Sequence, residues 1–314
     1  LDSGFLCRLI FGRQEDHVLT HSGFHGVYPM LLAFYDQAGG LDPLGLKRQV
    51  DAAIACGCEG IAILGLGTDV NKLSLAERRT VVEVVSSHLN RRLPLSVTVA
   101  ENTPGGQTEF AKFAVEQGAD WIILQPPPAV EVDEQELIRF FGATIDQLTV
   151  PVGIQNAPMY LQIGLSNAGL TELHRRHPQL KIVKVEDDPL LIARLIQETH
   201  GEIDVFVGRD GMEMIDLLKA GAAGLIPGFE SCDRIARSYQ AFRANDLTTA
   251  WKEYREVESG IVFLERSINH YVTYAREIAA RRLGIEPIVH RLPKPLSPLG
   301  IEIAARTAEE LGRL

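Results

Sequence analysis

Residues 95–124 read LSVTVAENTPGGQTEFAKFAVEQGADWIIL, and this stretch decides the fold. LSVTVA is a short run of apolar and β-branched residues, the composition of a strand buried on both faces. Thr103-Pro104 is a helix-start signal, a capping hydroxyl followed by proline where no amide hydrogen is needed. The helical run ends on Gly118, which takes the left-handed cap position at no steric cost. A second strand-like run, WIIL, follows at residues 121–124. No hairpin turn joins the two runs, so they pair in parallel through a helical crossover.

The same unit recurs on both sides. Strand candidates lie at residues 26–32, 60–64, 95–100, 121–124, 150–155, 181–185, 204–207 and 223–226. Between them stand helix starts at Asp42-Pro43, Ser74 with Glu77 as a capping box, Asp133, Ser166, Asp188-Pro189 and Asp210-Gly211. Gly57 and Gly221 close helices as Gly118 does. Eight such units predict an α/β fold of the (β/α)8 TIM-barrel type. An open doubly wound sheet would need a glycine-rich phosphate turn after its first strand, and PMLLAFYDQAGG at 29–40 supplies none. Beyond the eighth strand the chain is helical over 231–280, rich in proline (Pro287, Pro293, Pro295, Pro298), and helical again over 301–314. The expected division is an N-terminal extension (1–24), a barrel (25–230), and the last barrel helix with a C-terminal helical appendage (231–314).

Composition narrows the partners. The chain has 314 residues, 46% apolar and 23% charged, with 31 basic against 41 acidic side chains and a formal charge of −10. A pI near 5.4 opposes nucleic-acid backbones and anionic membranes as general partners. No apolar run approaches the roughly 18 residues of a membrane span. Cys7, Cys56, Cys58 and Cys232 have neither zinc-site nor thioredoxin-like spacing, so buried or inert thiols and a reducing cytoplasm are expected. The opening segment has an apolar stretch at 5–11 broken by Arg8, which makes a poor signal peptide. The nine histidines, among them His17, His21, His25, His174, His177 and His290, form no HxH or HExxH pattern, so no metal site is expected.

In a barrel, function gathers at the carboxyl ends of the strands. Lys184 stands out there, within the apolar run Ile182, Val183, Val185. Alternation puts Ile182, Lys184 and Glu186 on one face, and Lys181, Val183 and Val185 on the other. If Lys184 points inward, desolvation favours the neutral amine, the form that attacks a carbonyl carbon. Glu186, about 7 Å along the same face, either pairs with that lysine or shuttles its proton. On these residues alone a structural ion pair and a catalytic amine are both open.

Five stretches together are more specific. GVYPMLLAFYDQAGGLD (26–42), GLGTDVNKLSLAER (65–78), PVGIQNAP (151–158), HPQLKIVK (177–184) and GRDGMEMIDLLKAGAAG (208–224) resemble, in matching order, the dihydrodipicolinate synthase and N-acetylneuraminate lyase superfamily. Its members are class I Schiff-base lyases acting on 2-oxo acids. The resemblance spans residues 26–284 and implies that Lys184, six residues after Pro178, forms the Schiff base. It implies no cofactor, a small-molecule 2-oxo acid as partner, and a homo-oligomer.

Departures from the family pattern indicate the branch. The substrate-carboxylate loop is Gly65-Leu66-Gly67-Thr68-Asp69, which leaves backbone amides at Gly67 and Thr68 to hold the anion. Gln155 replaces the family's tyrosine proton relay, and an amide orients but does not titrate. Pro127-Pro128-Ala129 replaces the aromatic pair used across the dimer contact, and Tyr160 replaces an arginine. With Lys184-Val185-Glu186 and the tail at 258–285, this set is similar to the 2-keto-3-deoxy-L-arabonate dehydratase branch. The resemblance then assigns Lys184 as the nucleophile and Glu186 as acid or base. Gln155, Gly67 and Thr68 would position substrate, Gly208 would allow close approach near the imine, and Ile226 would offer backbone. An aldolase or synthase of the same superfamily, and a barrel that binds 2-oxo acids without turnover, stand as alternatives. Glu101-Asn102-Thr103 and Asp210 are read as helix caps before substrate groups.

Overall fold

The computed structural model describes residues 22–128, 132–291 and 296–314. Cys7, the 5–11 stretch, His17, His21, Ala129, Pro293 and Pro295 lie outside the described residues. Eight strands, β1 (Gly26–Val27), β2 (Ile61–Ile63), β3 (Leu95–Val99), β4 (Trp121–Leu124), β5 (Val152–Asn156), β6 (Leu180–Val185), β7 (Asp204–Val207) and β8 (Gly224–Leu225), follow the expected positions. They pair in parallel in the order β1-β8-β7-β6-β5-β4-β3-β2. A parallel bridge between Met30 and Ala62 closes the ring, with the Leu31 N–H donating to the Ala62 carbonyl at 2.9 Å. The β1 ladder is shorter than the apolar run that announced it. Pro29 lies within that run and has no amide hydrogen to give to β2.

Each strand leads to an outer helix: α1 (Pro43–Ala55), α2 (Leu75–Leu89), α3 (Pro104–Gln117), α4 (Glu134–Ile145), the short α5 (Pro158–Leu161) with α6 (Asn167–Arg176), α7 (Pro189–Glu198) and α8 (Met214–Ala220). The start signals act as their chemistry requires. Thr103 accepts from the Gly106 N–H, and Ser74 and Glu77 form a reciprocal capping box. Asp210 is a correction: it lies in a 3-10 turn over Arg209–Gly211, and α8 begins only at Met214.

The barrel has two cores, sorted by strand alternation. Val97, Val183 and Val185 face the helices. Tyr28, Met30, Trp121, Ile182 and Phe206 fill the interior. Tyr28, Trp121 and Phe206 meet at ring-centre distances of 5.2 to 5.6 Å, which plugs the interior and leaves the carboxyl end for polar groups.

After β8 the chain forms α9 (Cys232–Arg243), α10 (Leu247–Leu264), α11 (Ile268–Leu283) and α12 (Pro298–Leu311). The helical run expected over 231–280 is thus broken twice, where Asp246 and Ser267 cap new helices. Arg282, fully buried on α11, donates to the Glu230 carbonyl at 2.6 Å, to Asp233 Oδ1 at 2.9 Å and to the Gly312 carbonyl at 2.7 Å. Arg276 donates to the Ala33 carbonyl at 2.8 Å. These charge-assisted bonds fasten α11 to the carboxyl-end loops of the barrel. Cys58 and Cys232 are buried and Cys56 is half-buried, all three unbridged. No helix among the described residues is long and apolar enough to cross a membrane.

Candidate active site

The site begins on β6. Lys184 stands in register with Gln155 of β5 and Phe206 of β7. Its neighbour two residues back, Ile182, belongs to the interior core, while Val183 and Val185 belong to the outer one. The face shared by Ile182 and Lys184 is therefore the inward face. Lys184 is 3% exposed, and its Nζ lies 2.7 Å from Glu186 Oε1. A buried ammonium needs such a partner, and here the partner is also a proton acceptor in direct contact.

Glu186 is held from three sides. Its N–H donates to the Asn156 carbonyl at 2.9 Å, and its Oε2 accepts from Gln155 Nε2 at 3.2 Å. On the third side is Gly208, where an added Cβ would fall 2.4 Å from Glu186 Oε1. The glycine thus makes room for the carboxylate itself, a role that the sequence reading assigned to substrate approach. Gln155 likewise orients Glu186 from behind, and it does not border the cavity into which Lys184 points.

That cavity, about 40 Å³, is bordered by Lys184, Glu186, Gly67 and Ile226 among the expected residues. Thr68 is not among them. Its N–H donates to the Gly65 carbonyl at 3.1 Å within the turn over Leu66–Thr68, and its hydroxyl donates to the Leu31 carbonyl at 2.6 Å, which ties that turn to the segment after β1. Gly67 reaches the cavity between Met30 and Tyr271; an added Cβ would lie 3.2 and 3.3 Å from their atoms. Glu101, at the end of β3, pairs with Arg78 at 3.1 Å and is also outside the lining.

Other groups complete the wall. Asp210 is buried at φ +56°, and its Oδ1 accepts from the Gly228 N–H at 2.7 Å. Burial, and next the charge of the adjacent Glu230, raise the Asp210 carboxyl well above the usual carboxylate range. Burial raises Glu230 as well, and its Oε2 accepts from the Tyr271 hydroxyl at 3.1 Å. Two such carboxyls side by side hold a proton between them. Tyr160, on α5, donates its hydroxyl to Glu265 Oε2 at the end of α10. Burial, followed by the charge of Asp210, pushes Glu265 up to about 7.

Sequence reasoning noted Tyr160 only as a lost arginine and preferred a cap to a catalytic group for Asp210, and it passed over Glu265, Glu230 and Tyr271. One local signal was available. Glu265 is the C-cap of an 18-residue helix, the end where the helix dipole disfavours negative charge. Local rules are broken in this way most often at functional sites. Among the described residues, no group of three or more His, Cys, Asp or Glu is placed to hold a metal ion.

An eight-stranded parallel barrel with a buried lysine at the carboxyl end of its sixth strand, in contact with a carboxylate, has the architecture of a Schiff-base lyase. The chain belongs to the dihydrodipicolinate synthetase family, whose model matches residues 23–293. It is 26% identical over 283 residues to YagE of Escherichia coli, provisionally named a 2-dehydro-3-deoxy-D-gluconate aldolase, covering 88% of this chain and 92% of that protein. It is 27% identical over 232 residues to the 4-hydroxy-tetrahydrodipicolinate synthase of Methanoculleus marisnigri, covering 72% and 79% of the two chains. Among solved structures, a dihydrodipicolinate synthase from Thermotoga maritima superposes with a TM-score of 0.84 at 17% identity, covering 93% of this chain and 99% of that one. YagE in complex with pyruvate superposes with a TM-score of 0.80 at 22% identity, covering 92% and 98%. At those identities the superpositions speak for the fold.

Proposed function

We propose that this lyase forms a Schiff base between Lys184 and a 2-keto-3-deoxy sugar acid and expels water from it. The observation that carries the reading is the buried Lys184–Glu186 contact at 2.7 Å on the inward face of β6. Glu186 takes the ammonium proton, the neutral amine attacks the 2-oxo carbon to give a carbinolamine, and Glu186 returns the proton to the carbinolamine hydroxyl, which leaves as water to give an iminium ion and the free carboxylate. The iminium withdraws electrons from C3, and Glu186 removes a C3 proton to leave an enamine. Return of the enamine electrons expels the C4 hydroxyl. Gln155 and Gly208 fix the Glu186 carboxylate, Gly67 and Ile226 contact the substrate, and Thr68 shapes the turn that presents Gly67.

The absence of a titrating group at Gln155 and of a cation at Tyr160 supports a neutral, hydroxylated distal end on the substrate rather than a second carboxylate. A second reading, cleavage of the C3–C4 bond, is favoured by the likeness to a protein named for aldolase action on a 2-dehydro-3-deoxy sugar acid. The two share every step as far as the Schiff base. Borohydride reduction with substrate or pyruvate, followed by mass analysis, is expected to place an adduct on Lys184. No adduct would favour a non-catalytic barrel. With 2-keto-3-deoxypentonate, 2-oxoglutarate semialdehyde supports dehydration, whereas pyruvate with glycolaldehyde would establish the aldolase.

A further inference from the structure

Dehydration needs an acid as well as a base, because hydroxide is a poor leaving group. Around the cavity, Lys184 is bonded to the substrate and Glu186 is engaged in removing the C3 proton. Asp210 and Glu230 share a proton whose loss would leave two buried carboxylate charges side by side. Glu265 remains. It borders the same cavity, comes from the C-terminal helices rather than from a strand end, and is hydrogen-bonded there only by the Tyr160 hydroxyl among the described residues.

We propose that Glu265, oriented by Tyr160, is the acid that protonates the departing C4 hydroxyl. The inference rests on the dehydratase reading. The C4–O bond breaks as the enamine electron pair forms the C3=C4 double bond and restores the iminium. The oxygen takes the Glu265 proton and leaves as water. Glu186 retains the C3 proton; water hydrolyses the unsaturated iminium, the released 5-hydroxy-3-ene tautomerises through its enol to 2-oxoglutarate semialdehyde, and both carboxyls return to their starting states by exchange with solvent. The surroundings suit an acid. Burial and the charges of Asp210 and Glu186 favour protonated Glu265, while Arg209 and the Tyr160 hydrogen bond favour its carboxylate. Glu230 and Tyr271 feel the Glu265 charge in turn. The balance holds Glu265 near neutrality, where a general acid works best.

The test compares Glu265→Gln and Tyr160→Phe with the wild type. Borohydride trapping on Lys184 and exchange of the C3 proton with deuterium should stay within about threefold of wild type in both variants, which also shows that both fold. Water elimination from the natural-type substrate should fall at least about 100-fold in Glu265→Gln, within the range for loss of a general acid. Elimination of fluoride from the 4-fluoro analogue, which depends less on an acid, should fall by less than about tenfold. The wild-type rate should decline as pH rises through about 7, since the acid must be protonated. That decline should vanish in Glu265→Gln and move to higher pH in Tyr160→Phe, where a bond stabilising the carboxylate is lost. Equal losses on both substrates, or an unchanged pH profile, would overturn the assignment. Unaltered elimination of water would assign both proton transfers to Glu186. A wild type that traps substrate yet cleaves C3–C4 would remove the dehydratase reading itself, whatever the variants do.

Discussion

Gly208→Ala tests the geometry around Glu186 with a single methyl group. The added Cβ would stand 2.4 Å from Glu186 Oε1 and 2.5 Å from its Cγ. Ordinary van der Waals contact begins near 3.4 Å, so the carboxylate must retreat by 3.4 − 2.4, or about 1 Å. That displacement disturbs its contact with Lys184 Nζ, now 2.7 Å. A displacement of about 1 Å in a reacting group costs on the order of 100-fold in rate, or about 2.7 kcal/mol of barrier. The methyl group also overpacks the site, at about 1–3 kcal/mol of stability. The assay is twofold: single-turnover trapping of the imine by borohydride, and steady-state turnover, both on protein with a cooperative thermal melt. Turnover is expected to drop about 100-fold, with trapping slowed as the proton acceptor moves from the ammonium. A Gly208→Ala enzyme within about threefold of wild type in turnover would refute the claim that this glycine exists to seat Glu186.

Other perturbations bear on the same scheme. Glu186→Gln should slow turnover by about 10²–10⁴-fold and imine formation much less, and equal slowing of both would refute its role as the C3 base. Arg282→Met should destabilise the fold by about 1–3 kcal/mol in denaturant melts, because it takes the partner from Asp233 Oδ1, whose Oδ2 keeps Arg237, and leaves three carbonyls without their donor. A change under 1 kcal/mol would show that the clamp is dispensable. The hydrogen bonds of Arg291 hold the Glu77 carboxyl down at about 2, with Nη1 at 3.0 Å from Oε2. A depressed carboxylate contributes stability above its unfolded pKa and loses it as pH falls through its folded one. The wild type should therefore lose stability between about pH 4.5 and 2, and Arg291→Met should flatten that acid limb; melts that superpose after normalisation at neutral pH would contradict it.

Part of the molecule was legible before any coordinates. The alternation of β-branched runs with capped helices, Thr103-Pro104 and Gly118 being one example, is local information, and local hydrogen bonds read it out in the structure. That is why the eight strands, the barrel and the position of Lys184 at the end of β6 follow from the chain alone. Alternation also placed Lys184 and Glu186 on one face, although it could not say which face was inward. The β1 ladder shows the limit of pattern reading, because one missing amide hydrogen at Pro29 outweighs an apolar run.

What the tertiary structure decided is where donors are spent and which distant groups converge. The Thr68 hydroxyl is used by the Leu31 carbonyl, 37 residues away, and Gln155 by Glu186, 31 residues away. Neither commitment is encoded in the spacing of a motif. Tyr160 meets Glu265 across 105 residues, and Tyr271 meets Glu230 across 41, because Arg276 and Arg282 pin the last helices over the barrel mouth. Sequence periodicity fixes faces and ends of elements. The proton inventory of the site depends on through-space burial and pairing, and those exist only once the C-terminal helices have docked.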